Sequence, residues 1–148
     1  YLAARGLRTL GVRMAQHNKN ALKVANWLAT RAEVDHIRHP AFDTCPGHEF
    51  FKRDFSSGNG LFSFVLKQGD LASVTAFVEN MDHFKMGFSW GGFESLILGV
   101  FGINNIRTAT QWDSSKPLIR LHIGLEDADD LIADLDAAFS RYNAILQK

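Results

Sequence analysis

Apolar positions along the chain switch between two spacings, and the switches mark its elements. Residues 2 to about 31 contain no proline, and Leu7, Leu10, Val12, Met14, Leu22, Val24, Ala25, Trp27 and Leu28 recur at three- and four-residue intervals, which predicts one long helix. Gly6 and Gly11 weaken its first part by up to about 1 kcal/mol each relative to alanine, so that part either packs closely on a neighbour missing from this chain or bends. Residues 34–39 are short, β-branched in places and stopped by Pro40, as in a brief strand. A loop follows over 41–47, and His48–Asp54 suits a helical turn. Ser56-Ser57-Gly58-Asn59-Gly60 is a turn signal, and the apolar Leu61–Leu66 run beyond it reads as a strand covered on both faces.

Asp70 is a good N-cap for a helix reaching about Asn80, with Leu71, Val74, Phe77 and Val78 as its inner stripe. Residues 85–89 read as another short strand, interrupted by Gly91-Gly92, and 93–100 are apolar with weak periodicity. Residues 118–123 form the clearest remaining strand, closed by Gly124. Glu126, Asp127, Asp129 and Asp130 then open a final helix whose stripe is Leu131, Leu135, Ala138, Phe139, Tyr142 and Ile145. Acidic residues suit that position because the helix dipole favours negative charge there. Strands separated by single helices, with long helices at both ends, predict a two-layer α/β (α+β) sandwich whose helices cover one face of the sheet. The pattern leaves the strand directions open.

Composition narrows the class. A chain of 148 residues, 46% hydrophobic and 22% charged, is one domain that builds a core without disulfide or metal staples. Sixteen basic and sixteen acidic side chains cancel, so neither nucleic acid nor an anionic membrane is an expected partner. The single Cys45 fits a reducing compartment, and no apolar run approaches the roughly 20 residues of a membrane span, which together predict a cytoplasmic protein. The chain begins at Tyr1 without a leader pattern and reads as a segment of a longer protein. If the parent divides its active site between domains, the segment holds half of it.

Candidate chemistry concentrates in two places. The alternation within residues 118–123 puts Arg120 and His122 on one face and Ile119, Leu121 and Ile123 on the other. A guanidinium fixed on a sheet offers a planar fork for a carboxylate, whereas the plainer alternative is a solvated arginine or one paired with a nearby acid. Ser89-Trp90-Gly91-Gly92 is either a ligand-contacting strand end or a tight turn with Trp90 plugged into the core. His36, His39, Cys45 and His48 match no zinc spacing, the acidic run at 126–130 lacks the central glycine of a calcium loop, and no metal is expected. Cys45 precedes Pro46 without an assignable base, and Ser57-Gly58-Asn59-Gly60 leads into a strand rather than a helix N-terminus, so neither nucleophilic catalysis nor phosphate cradling is expected.

Four blocks in order carry a family resemblance: Tyr1-Leu2-Ala3-Ala4-Arg5-Gly6-Leu7-Arg8-Thr9-Leu10-Gly11-Val12-Arg13, Gly47-His48-Glu49-Phe50-Phe51-Lys52-Arg53-Asp54-Phe55, Ser89-Trp90-Gly91-Gly92-Phe93-Glu94-Ser95-Leu96, and Leu118-Ile119-Arg120-Leu121-His122-Ile123-Gly124-Leu125-Glu126-Asp127. They resemble the C-terminal domain of the bacterial cystathionine beta-lyases, a branch of the pyridoxal-phosphate-dependent cysteine and methionine metabolism family. The resemblance implies that residues 1–148 are the small C-terminal domain of a fold type I (aspartate aminotransferase-like) enzyme, a long N-terminal helix plus a short, mostly antiparallel sheet covered by helices. It implies that Arg120 grips the substrate α-carboxylate, with Ser89 and Trp90 at the same subsite. It places pyridoxal 5'-phosphate and its Schiff-base lysine in a large N-terminal domain absent from this chain, since none of Lys19, Lys23, Lys52, Lys67, Lys85, Lys116 and Lys148 stands in the family's context. The implied substrate is L-cystathionine, the implied reaction β-elimination to homocysteine, pyruvate and ammonia in methionine biosynthesis, and the implied assembly a homo-oligomer, a tetramer in the full-length enzyme. This chain alone would be inactive. Trp90, with Gly99-Val100-Phe101-Gly102-Ile103 after it, favours the beta-lyases over the gamma-lyases and gamma-synthases, in which leucine usually replaces the tryptophan. Phe88 departs from the tyrosine often found before the Ser-Trp pair. A ligand-binding module without chemistry is the remaining alternative.

Overall fold

The computed structural model describes residues 1–101, 108–109, 112 and 115–147. Among these the element order is α1 (Leu2–Leu7), α2 (Leu10–Ala29), β1 (Val34–Arg38), α3 (His48–Asp54), β2 (Leu61–Leu66), α4 (Leu71–Val78), β3 (Lys85–Met86), β4 (Leu96–Val100), β5 (Leu118–His122) and α5 (Ala128–Leu146). The strands form a sheet in the order β1-β2-β5-β4-β3. Every pairing is antiparallel except β3 with β4. This is the expected α/β two-layer arrangement, with the strand directions now given.

The core lies between the sheet and α2, α4 and α5. Ile119, Leu121, Phe62, Phe64, Leu66 and Ile97 on the sheet meet Val24, Leu28, Val74, Phe77, Leu131, Leu135 and Phe139 on the helices. Three aromatic rings knit the two layers, with Phe77 edge-on to Phe139 at 4.8 Å and to Phe64 at 6.0 Å. Gly99 lets α4 sit directly on β4, since a Cβ there would stand 2.6 Å from Cγ1 of Val74. The turn after α4 is tied to α5 by the buried Asp134 carboxylate, which accepts from the backbone N–H groups of Asp82, His83 and Phe84 at 2.8 to 3.2 Å.

Several elements differ from the sequence reading. The first helix is two: α1 stops at Leu7 and α2 restarts at Leu10, with the Thr9 N–H reaching the Gly6 carbonyl at 3.1 Å. The chain breaks between the two glycines, and a Cβ at Gly6 or Gly11 would meet nothing of this chain within 4 Å. Leu7, Leu10 and Val12 are exposed, and the buried stripe of α2 runs instead through His17, Asn20, Ala21, Val24, Ala25 and Leu28. Leu71, expected inside, is the first residue of α4 and is 65% exposed, while Asp70 caps α4 in a reciprocal bond pair with Ser73. The strand expected over 85–89 is only Lys85–Met86, because the chain turns away at Gly87 to form a loop. Residues 102 and 103, invoked in separating beta-lyases from their relatives, lie outside the described residues.

Candidate functional site

Strand β5 is central, flanked by β2 and β4, so its side chains are fixed by two neighbours. Ser63 of β2 and Leu98 of β4 stand opposite Arg120, and Leu61 and Leu96 stand opposite His122. The Arg120 guanidinium lies part-buried on the face away from the core. Its Nη2 donates to the carbonyls of Gly87 at 3.1 Å and Phe88 at 2.7 Å, and its Cζ sits 5.8 Å from the Trp90 ring centre. No carboxylate pairs with it among the described residues, unlike Arg31 with Glu33 and Asp136, or Arg53 with Asp54. A charged fork held by neutral carbonyls through one nitrogen retains its capacity for an anion.

The loop over residues 87–95 reaches this cation from the end of β3. Trp90 is 60% exposed, so it is not the core plug that the plainer sequence reading allowed. Ser89 is exposed and makes no hydrogen bond among the described residues. Arg120 and Trp90 are thus brought into contact, while Ser89 is adjacent only through the chain.

Sequence reasoning missed what anchors this loop. His122, 2% exposed, places Nε2 3.1 Å from both the Gly91 nitrogen and the Gly92 carbonyl oxygen. Burial pushes its imidazole below the ordinary histidine range, with the Gly92 carbonyl opposing that shift. The His17 ring from α2 stands 5.3 Å away, its Nδ1 2.7 Å from the Ile123 carbonyl oxygen. Glu126 belongs to this anchorage and not to the helix start assigned to it. Its carboxylate accepts from the Ser95 backbone N–H at 2.7 Å and the Ser95 hydroxyl at 2.8 Å, and Asp127 is the true cap of α5. The helical spacing of His17 with Ala21, Val24 and Leu28 was a usable signal for its burial.

The three histidines weighed for zinc serve separate local contacts, and Cys45 is a half-buried free thiol. His39 accepts from the Ala41 N–H at 3.1 Å, the His48 Nδ1 lies 2.8 Å from the Pro40 carbonyl oxygen, and His36 pairs with Asp35. Beside them a cleft of about 340 Å³ is lined mainly by Phe50, Phe51, Phe55, Pro40 and Leu61.

Comparison with known proteins places this geometry. The family model for Cys/Met metabolism PLP-dependent enzymes matches residues 1–140. The chain belongs to this family. It is 54% identical over 144 residues to a cystathionine beta-lyase of Escherichia coli (strain K12), a match covering 95% of this chain and 36% of the relative. A crystal structure of cystathionine gamma synthase from Xanthomonas oryzae pv. oryzae in complex with aminoacrylate and cysteine superposes with a TM-score of 0.80 at 37% identity, over 95% of this chain and 37% of that one. The complex of that synthase with cystathionine superposes at 0.79, with the same identity and coverage. The chain therefore spans little more than a third of the length of these relatives.

The family's cofactor carries a phosphate and an aldehyde that asks for a lysine amine. The described residues do not fit it. In the glycine-rich turn before β2, the Gly58 N–H is taken by the Asn18 side chain at 3.0 Å and the Leu61 N–H by Asn59 at 2.7 Å, leaving no cradle for a phosphate. Of the described lysines, Lys23, Lys52, Lys67, Lys85 and Lys116 are tied to Asp129, Glu49, the Ala32 and Asp82 carbonyls, and Asp35 respectively, and Lys19 stands exposed on α2, away from that turn in sequence.

Proposed function

We propose that this chain is the carboxylate-binding C-terminal domain of a pyridoxal-phosphate-dependent carbon–sulfur beta-lyase that converts L-cystathionine to homocysteine, pyruvate and ammonia. The observation that carries the reading is the state of Arg120, oriented by two carbonyls and a tryptophan with no acid against it among the described residues. Bidentate capture of the α-carboxylate fixes the amino acid's orientation, and orientation lowers a barrier without the protein touching the breaking bond. Ser89 and Trp90 line the same subsite. The cofactor, which supplies the electron sink, is held by the rest of the protein, and no lysine of this chain takes part. In this reading the enzyme is a cytoplasmic homo-oligomer.

The test uses the full-length enzyme loaded with pyridoxal phosphate and given cystathionine. Pyruvate with homocysteine is expected, and Arg120→Ala should lower kcat/KM by about a hundredfold, as the loss of a charge-assisted bidentate contact implies. A second reading, a gamma-acting enzyme, is favoured by the close superposition on the gamma synthase. Release of 2-oxobutyrate with cysteine would select it.

A further inference from the structure

We propose that His122 is a positioning residue of the carboxylate site, latching the Gly91-Gly92 turn so that Trp90 and the Gly87 and Phe88 carbonyls stay against Arg120. The inference rests on the carboxylate reading of Arg120 and adds a control on that site.

Beyond the Arg120 bonds to the Gly87 and Phe88 carbonyls, the middle of the loop has little else to hold it in place. Phe88, Trp90 and Phe93 are 81%, 60% and 62% exposed, so apolar burial contributes little, and polar contacts decide where the loop sits. Its far end is pinned by Glu126 on Ser95 and by the Leu125 N–H on the Phe93 carbonyl at 2.9 Å. Its near end begins at β3. Between them Gly91 turns through a left-handed φ of +89°, and the contact made there from the sheet is the His122 imidazole. The ring itself has no freedom to retreat. His17 stands against it at 5.3 Å, and a Cβ on Gly60 would lie 3.1 Å from its Cε1 and Nδ1.

One nitrogen near both a donor and an acceptor makes the latch sensitive to protonation. Neutral, Nε2 either accepts from the Gly91 N–H or donates to the Gly92 carbonyl. Charged, it can only donate, and the Gly91 N–H loses its acceptor and faces a cation. The groups that bear on this change are His17 of α2, Arg120 on the same strand and Glu126 beyond it. Leu61 and Leu96, opposite on the flanking strands, carry no charge. Where the neutral ring accepts from the Gly91 N–H, protonation breaks that bond and loosens the loop at acid pH, below the ordinary histidine range because burial disfavours the cation.

The experiment compares wild type, His122→Leu, His122→Gln and Arg120→Ala in the full-length holoenzyme, measuring KM and kcat for cystathionine between pH 5 and 8. Leucine removes the imidazole's bond to the loop and should raise KM about tenfold with kcat within about twofold. Glutamine offers donor and acceptor together without titrating, so KM should stay near wild type at pH 8 and the acid rise in KM should disappear. A wild-type KM in His122→Leu, or a His122→Gln profile that follows wild type into acid, overturns the latch. If His122→Leu does not fold, the His122→Gln profile alone decides. An unchanged KM in Arg120→Ala would bring down the carboxylate reading itself, whereas a raised KM there beside an unaffected His122→Leu would bring down only the latch.

Discussion

At the scale of single residues, burial without a counter-charge sets the behaviour of His39. The ring is 1% exposed, edge-on to Phe62 at 5.6 Å and Phe42 at 6.0 Å, and its Nδ1 accepts from the Ala41 N–H. Burial holds its imidazole below the ordinary range, against an opposing hydrogen bond with the Asn59 backbone. Because the folded value lies below the unfolded one, the unfolded chain binds more protons between the two. The stability His39 contributes is thus complete above about 6.5 and is lost as pH falls through the folded value. Urea midpoints at pH 7.5 and 5 should show the chain weakening on acidification, and His39→Gln should flatten that dependence. Tyr142 behaves in the opposite sense. Burial first, then Glu33 and Asp70, push its hydroxyl up to about 12, so it stays protonated and keeps donating to the Gln68 carbonyl across the same range.

At the scale of elements, close approaches between backbones decide where loops meet strands. Gly60 enters β2 directly beneath the end of β5, where its carbonyl accepts from the Ile123 N–H at 2.8 Å and a Cβ would stand 2.3 Å from the Ile123 oxygen. That oxygen is backbone and cannot swing aside. Gly60→Ala should therefore cost about 1 to 3 kcal/mol by chemical denaturation and displace the His122 ring. Sequence reading located β2, β5, α4 and α5, β2 from its apolar run after a turn and the others from a repeating period, with Leu71 of α4 the misplaced position. It misread the first helix, because the apolar residues at 7, 10 and 12 lie around a break between two helices and are exposed in this chain. The loop over residues 87–95 was legible as a site only in part. Arg120 and Trp90 were visible as types in a pattern, but the contributions of His122, His17, Ser95 and Glu126 arise from pairings across 29 to 106 positions of sequence, which no local period encodes.

At the scale of the whole molecule, the described residues present a cation beside an exposed aromatic loop, and the proposed division of labour leaves the cofactor to the rest of the protein. Mixed with pyridoxal phosphate and cystathionine, this chain alone should release no keto acid above the cofactor-only background, and a coupled lactate dehydrogenase assay would show any that formed. The sheet order carries a consequence for biosynthesis. Strand β5 fills the slot between β2 and β4 but is encoded after both. Until the ribosome has delivered residues 118–122, β2 and β4 each present an unpaired edge of hydrophobic backbone to the cell. The nascent protein thus passes through a period in which sheet closure waits on translation, and chaperone shielding matters most in the interval between emergence of β4 and arrival of β5.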